Sequence, residues 1–371
     1  MQIVLYILLG VLVLGVAGYF WFTRFYLKVP KLNIPEGLAL VQASDIFDQW
    51  LQGLYEQGKF NGTVLMAQDG NPLLKKGYGF TSFRMDKELT ADSSLRLASL
   101  SKQFTAVGIM LLQEKGQLEY DHPVSKYIAG FPYAKVTVRH LLNHTSGIPD
   151  NYLKLAKRNK KEIEILTNEE ATRLIIKENQ KAKHQPNEHY QYSNTNYILL
   201  ARIIEVVTSL SFEDYMQKEL FSPLGMRNTR VWNLLSKEPT FTNKADDFEH
   251  FVENDPKGIE PTFIDGVAGD GAVFSSASDL LIWDGFWYDN ALLSANNIAE
   301  AFKKPVLNKG SESNYGFGFG INPNKVWHNG AWLGARTILL RNPERRTCLA
   351  ILDNSSNIYF DNIAKELMGH L

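Results

Sequence analysis

Ala98-Ser99-Leu100-Ser101-Lys102-Gln103-Phe104-Thr105 places a serine three residues ahead of a lysine, at the entrance to an apolar stretch of helical period. Residues i and i+3 of a helix share a face, so this spacing brings the Ser99 hydroxyl within reach of the Lys102 amine. A serine hydroxyl is a weak nucleophile unless a neighbour takes its proton as it attacks. The first turn of a helix also aims backbone N–H groups and partial positive charge at any oxyanion formed there. Alone the pattern says little: a chain of 371 residues contains roughly one or two such spacings by chance, and a helix-capping serine beside a surface lysine reads identically.

Two more short motifs lie downstream. Tyr192-Ser193-Asn194 follows a polar run over 184–191 and precedes a helical pattern over 196–207. A phenol serves as general base where nearby cations draw its pKa down from about 10. Asn194 offers both a donor and an acceptor, to a substrate amide or to Lys102. His328-Asn329-Gly330 falls between predicted strands that begin at Tyr315 and Ala335. Gly330 would let the backbone approach a substrate closely, and the N–H of Ala331 would complete an oxyanion hole with that of Ser99. Singly, each has an ordinary explanation: a loop tyrosine packed on a helix, and a turn.

Together, in the order Ser-x-x-Lys, Tyr-x-Asn, basic residue-x-Gly, they are far more specific. On them the chain resembles the serine β-lactamase and penicillin-binding-protein superfamily, particularly its class C β-lactamase, esterase and D-aminopeptidase-like branch. The segments LLNHTSGIPD from Leu141, PLGMRNT from Pro223 and GDGAVFSSASDLLIW from Gly269 are also similar to recurring family segments, and the likeness spans residues 45 to 371. The resemblance implies that Ser99 is acylated, that Lys102 and Tyr192 share the proton transfer, and that Asn194, His328, Gly330 and Ala331 bind substrate. It implies no cofactor and no metal. The substrate would be a small-molecule or peptide ester or amide, cell-wall peptides and β-lactams included. His328 stands where penicillin-recognising members carry lysine; a largely neutral imidazole there favours an esterase, amidase or D-amino-acid peptidase over an efficient β-lactamase. A catalytically silent, membrane-anchored sensor or scaffold of the same fold is the alternative.

The pattern of elements predicts an α+β fold. A hairpin is expected from GTVLMA at Gly62 and LLKKGYG at Leu73, around the turn Asp69–Pro72. Strands return in YGFGFGI from Tyr315, ARTILLRN from Ala335 and TCLAILDN from Thr347, and helical patterns fill 104–112, 138–142, 169–176, 196–207, 212–220 and 360–368. Strands at both ends of the chain with helices between them make an antiparallel sheet flanked by helices, with a mainly helical lobe inserted, the β-lactamase/transpeptidase-like arrangement. Three regions are expected: a transmembrane anchor over 1–24, a linker over 25–44 holding Pro30 and Pro35, and a hydrolase domain over 45–371.

The anchor rests on 23 residues without a charge before Arg24, enough helix to cross roughly 30 Å of hydrocarbon. The cluster Tyr19, Phe20, Trp21 and Phe22 suits the membrane interface. A single-pass protein with an extracytoplasmic domain is the expectation, although Arg24, Lys28 and Lys31 after the segment argue the opposite orientation by the positive-inside rule. Lys and Arg total 39 against 40 Asp and Glu, so no broad positive field exists to draw nucleic acid. Cys348, the only cysteine, rules out an internal disulfide and a multi-thiolate zinc site. His140 and His144 have the i, i+4 spacing of a zinc pair, but no glutamate follows His140 as a metalloprotease motif requires. Gly269-x-Gly271 and Gly316-x-Gly318-x-Gly320 lack the dinucleotide-binding context and read as close strand packing. Trp327 and Trp332 flank the third motif and are expected to line the cleft.

Overall fold

The computed structural model describes residues 11, 12, 15, 27–250 and 255–370. Most of the expected transmembrane anchor over 1–24 therefore lies outside the described residues, and among those described no single helix is long and apolar enough to cross a membrane.

The framework is a six-stranded sheet built from both ends of the folded region. Its strands are β1 (Gly62–Gln68), β2 (Asn71–Tyr78), β3 (Gly320–Asn322), β4 (Lys325–Trp332), β5 (Ala335–Asn342) and β6 (Thr347–Asp353). They run in the order β2-β1-β6-β5-β4-β3, each antiparallel to its neighbours. The helices named below are α1 (Leu40–Glu56), α2 (Ser101–Glu114), α3 (Asn168–Glu178), α4 (Asn194–Thr208), α5 (Ala277–Phe286), α6 (Ala295–Phe302) and α7 (Phe360–Met368).

Alternation along the strands sorts the core into two layers. Val64, Met66, Leu349 and Ile351 face a layer closed by α1 and α7, whereas Leu65, Ala67, Cys348, Ala350 and Leu352 face the helical lobe. Both faces of β1 and β6 are covered, so these strands read as continuous apolar runs. Each fully buried aliphatic side chain of this kind contributes about 1.5–3 kcal/mol. The helix α2 runs through the middle of the lobe layer with every residue from Ser101 to Leu112 buried. A small sheet, with Val273–Ser275 between Leu95–Arg96 and Arg230–Val231, leads the chain directly into the start of α2.

Several expectations are corrected in detail. The hairpin turn is only Asp69-Gly70, both at positive φ (53° and 75°), the two-residue geometry that matches strand twist. Pro72 lies inside β2, where the missing N–H is harmless because β2 is an edge strand. The supposed linker is not free. Val29 and Leu32 are buried in the core against α1 and α7, Trp50 donates to the Pro30 carbonyl at 3.1 Å, and α1 starts at Leu40. YGFGFGI is mostly turn, its only strand residues being those from Gly320 onward. Gly318 has φ 87°, and a Cβ on it would meet the Lys102 carbonyl at 2.7 Å. The α5 helix escaped detection because it is apolar on nearly all sides, leaving no period to read.

Asp353, at the end of β6, is fully buried and accepts hydrogen bonds from Ser355 N (2.7 Å), Ser355 Oγ (2.9 Å) and Asn357 Nδ2 (2.9 Å). Burial outweighs these bonds and pushes its pKa up to about 6. The folded state therefore keeps a proton that the unfolded chain loses near pH 4, and stability falls as pH rises from about 4 to about 6. Asp353→Asn cannot ionise. The stability difference between Asp353→Asn and wild type should grow in favour of the variant across that window, by up to about 3 kcal/mol, and level off above it. Chemical denaturation at a series of pH values reads this directly; a difference that stays flat from pH 4 to 7 contradicts it.

Candidate active site

Ser99 sits on a single 3-10 turn, Ala98–Leu100, immediately before α2. In a 3-10 turn residues i and i+3 eclipse, so the Ser-x-x-Lys spacing holds although Ser99 precedes the α-helix proper. Ala98 has φ 49°, a conformation costly for any residue with a Cβ, and strain of this kind concentrates at functional sites. The turn is fixed from both sides. Leu97 N donates to Val273 O at 2.8 Å, and Thr337 Oγ1 donates to Leu97 O at 2.8 Å.

Lys102 is completely buried. Its Nζ lies 3.0 Å from Ser99 Oγ, 2.8 Å from Asn194 Oδ1 and 2.8 Å from the Asp270 carbonyl oxygen. Three acceptors match the three N–H bonds of an ammonium. The same positions fit the neutral amine, which donates to Asn194 and Asp270 and turns its lone pair to the serine hydroxyl. Nζ also lies 5.0 Å from the centroid of the Tyr192 ring and 5.7 Å from that of Tyr197.

Asn194 opens α4, whose first turn is capped by Asp150: its Oδ1 accepts from Thr195 N (2.9 Å) and Thr195 Oγ1 (3.1 Å). Tyr192 is held by a different device. Gln191 N donates to the His144 carbonyl at 2.8 Å, Ser193 N donates to His144 Nδ1 at 3.3 Å, and the His144 ring packs 4.4 Å from the Tyr192 ring. Burial first, then the nearby Lys102, holds the His144 pKa well below its ordinary value, so the ring stays neutral and Nδ1 stays an acceptor. His144, spaced like a zinc ligand, thus positions the Tyr192 loop, and His140 Nδ1 accepts from Thr137 N at 3.0 Å at the start of its own helix. No direct hydrogen bond joins the Tyr192 hydroxyl to Ser99 or Lys102.

The third motif lies within a strand, β4, rather than between strands. Gly330 presses that strand against the Ser99 turn: a Cβ there would meet Leu97 O at 2.4 Å, Thr337 Oγ1 at 2.5 Å and Ser99 N at 2.9 Å. Within the protein, its close approach is to the Ser99 turn. Ala331 and Ser99 line one cleft together with Arg96, Tyr152, Asp270 and Trp332. His328, expected to bind substrate, is held by the protein's own groups. It is buried, and its Nδ1 lies 2.5 Å from the Asn329 carbonyl, which can only accept, so Nδ1 carries the proton. Nε2 then accepts from the Tyr315 hydroxyl at 2.9 Å. Burial, followed by the charge of Lys102, pushes its pKa down to about 3. Both nitrogens are engaged within the protein, and the ring bears no charge at neutral pH.

The structure therefore links Ser99, Lys102 and Asn194 by hydrogen bonds, sets Tyr192 over the amine, and brings Gly330 and Ala331 to the serine turn. Sequence reasoning missed the Asp270 carbonyl, Asp150, Tyr315 and the positioning role of His144. Asp270 and His144 lie in segments whose family likeness was visible, yet no local spacing singles them out.

The chain belongs to the β-lactamase family, whose model matches residues 47–366. Its similarity is to serine enzymes and binding proteins of the penicillin-recognising superfamily. Penicillin-binding protein 4* of Bacillus subtilis (strain 168) is 38% identical over 314 residues, 81% of this chain and 69% of that protein. The octameric penicillin-binding protein homologue from Pyrococcus abyssi superposes with a TM-score of 0.73 at 26% identity, covering 87% of this chain and 76% of that one. The D-amino acid amidase of Ochrobactrum anthropi SV3, in its complex with D-phenylalanine, shares the fold at 22% identity, with a TM-score of 0.68 over 89% of this chain and 97% of that one.

Gly330→Ala should push β4 off the serine turn while leaving the surrounding core composition intact. The expected result is a loss of about 10²-fold or more in the rate of covalent labelling by an active-site-directed fluorophosphonate, with the far-UV circular dichroism retained. Labelling at the wild-type rate contradicts the packing role given to this glycine.

Proposed function

We propose that the protein is a serine hydrolase that works through a covalent acyl-enzyme on an ester, amide or peptide. The observation that carries this reading is the fully buried Lys102, whose amine meets Ser99 Oγ at 3.0 Å. Burying an ammonium costs several kcal/mol, and a lysine held at a serine in this way is suited to proton transfer.

In the proposed cycle the Ser99 oxygen attacks the substrate carbonyl carbon as its proton passes to the Lys102–Tyr192 pair. The carbonyl oxygen becomes an oxyanion that accepts from the N–H groups of Ser99 and Ala331. The tetrahedral intermediate collapses, the bond to the leaving group breaks, and the pair returns the proton to the departing oxygen or nitrogen. Water then attacks the ester on Ser99, its proton again taken by the pair, and the acid leaves with the serine hydroxyl restored. Asn194 holds the amine in place throughout. An uncharged His328 with both nitrogens engaged offers no fixed cation to a substrate carboxylate, which supports an esterase, amidase or D-amino-acid peptidase over an efficient β-lactamase. The uncharged first 23 residues support a membrane anchor over 1–24, and we place the hydrolase domain, 45–371, on the extracytoplasmic side.

Fluorophosphonate labelling tests the reaction class. Wild type should take up the label and Ser99→Ala should not; absence of label on both would favour a silent scaffold. Tyr192→Phe should slow acylation by about 10²- to 10⁴-fold, the usual contribution of a general base. An unchanged rate removes Tyr192 from the proton transfer.

A further inference from the structure

Besides the cleft lined by Ser99 and Ala331, there is a hollow of about 430 Å³ that Tyr192 lines with Tyr190, Tyr315, Trp327, Glu312 and Ser313. Nothing in the proposed cycle yet uses the hollow. The strand β4 connects the two spaces, because Asn329 lines the hollow, Gly330 abuts the Ser99 turn and Ala331 lines the cleft. If the N–H groups of Ser99 and Ala331 hold the carbonyl oxygen, the acyl portion occupies the cleft. The group that returns a proton to the departing atom must face the leaving group, and Tyr192 borders the hollow and not the cleft.

The chemistry of the hollow is distinctive. The Tyr190 and Tyr315 ring centroids are 5.8 Å apart and those of Tyr192 and Tyr315 are 6.2 Å apart, and the indole of Trp327 adds a fourth ring. No lysine or arginine lines it, and Glu312, exposed at its edge, is the one acidic residue among its lining. Ser313 is only 5% exposed, yet its hydroxyl has no hydrogen-bond partner among the described residues. The hydroxyl borders the hollow, where it can hydrogen-bond a polar group that enters. Tyr190 is 42% exposed, so one ring remains open to an incoming group. Lys102 Nζ lies 5.0 Å from the Tyr192 ring centroid, and its hydrogen bonds are taken by Ser99, Asn194 and Asp270.

We infer that this ring-lined hollow is the leaving-group site and that it prefers a leaving group bearing a positively charged amine. The inference rests on the acyl-enzyme reading above. Aromatic faces and a rim carboxylate attract an ammonium, whereas a carboxylate would enter a space with no cation to meet it.

Three acetate esters that differ only in the leaving group test this: those of choline, of its neutral isostere 3,3-dimethylbutanol, and of 4-hydroxybutyrate. At pH 7 the wild-type kcat/KM for the choline ester should exceed that for the neutral ester by about 3- to 10-fold, with the carboxylate ester slowest. In Glu312→Gln and in Tyr190→Leu the choline-to-neutral ratio should fall at least about 2-fold. A ratio at or below one, a preference for the carboxylate ester, or a ratio unmoved in both variants overturns the inference. Ser99-dependent fluorophosphonate labelling with none of the three esters turned over also overturns it, while leaving the hydrolase reading standing. No labelling at all removes both.

Discussion

A buried amine tolerates no missing partner, and that constraint organises the middle of this protein. Lys102 has no contact with solvent, so its amine must be met from within, and its hydrogen-bond partners are Ser99 on its own turn and two from distant stretches of chain, Asn194 at the start of α4 and the Asp270 backbone. Losing any one leaves a buried polar group partly unpaired in the core, which costs about 1–3 kcal/mol or more. The helical lobe is tied to the nucleophile turn by this requirement as much as by apolar packing.

Close backbone approach is the second constraint, and two glycines meet it. Gly318 lies against the Lys102 and Gln103 backbone, and Gly330 lies against Leu97 and the Ser99 amide, so the serine turn and first turn of α2 are clamped between the loop before β3 and the strand β4. Side chains at either place would force the sheet and α2 apart. The strained φ of Ala98 persists because bonds from Val273 and Thr337 and the Gly330 contact fix the segment around it.

What could be read from the sequence follows from what is local. The Ser99–Lys102 pairing depends on a spacing within one turn. The sheet strands carry their own apolar runs, and the helix α7 carries its own period, so these were legible. The acceptors at Asp270 and Asn194 meet Lys102 only after the chain folds, and no spacing encodes a backbone carbonyl 168 residues away. The glycine-rich stretch from Tyr315 reads as strand because aromatic and glycine residues alternate, but its glycines serve positive φ and close packing instead. His328 reads as a largely neutral imidazole in the third motif; its burial beside Tyr315 and the Asn329 carbonyl, which engages both nitrogens and makes it a wall of the hollow, is not legible there. The segment before Leu40 reads as linker from its prolines, yet Val29 and Leu32 give it an apolar hold on the domain.

The central claim is that Ser99, the amine of Lys102 and the N–H groups of Ser99 and Ala331 converge on one reacting carbonyl. A crystal structure of the fluorophosphonate adduct measures that convergence directly. The account predicts phosphorus bonded to Ser99 Oγ, with the phosphoryl oxygen about 2.7–3.1 Å from both N–H groups. A phosphoryl oxygen turned away from Ala331, or an adduct on any residue other than Ser99, contradicts it.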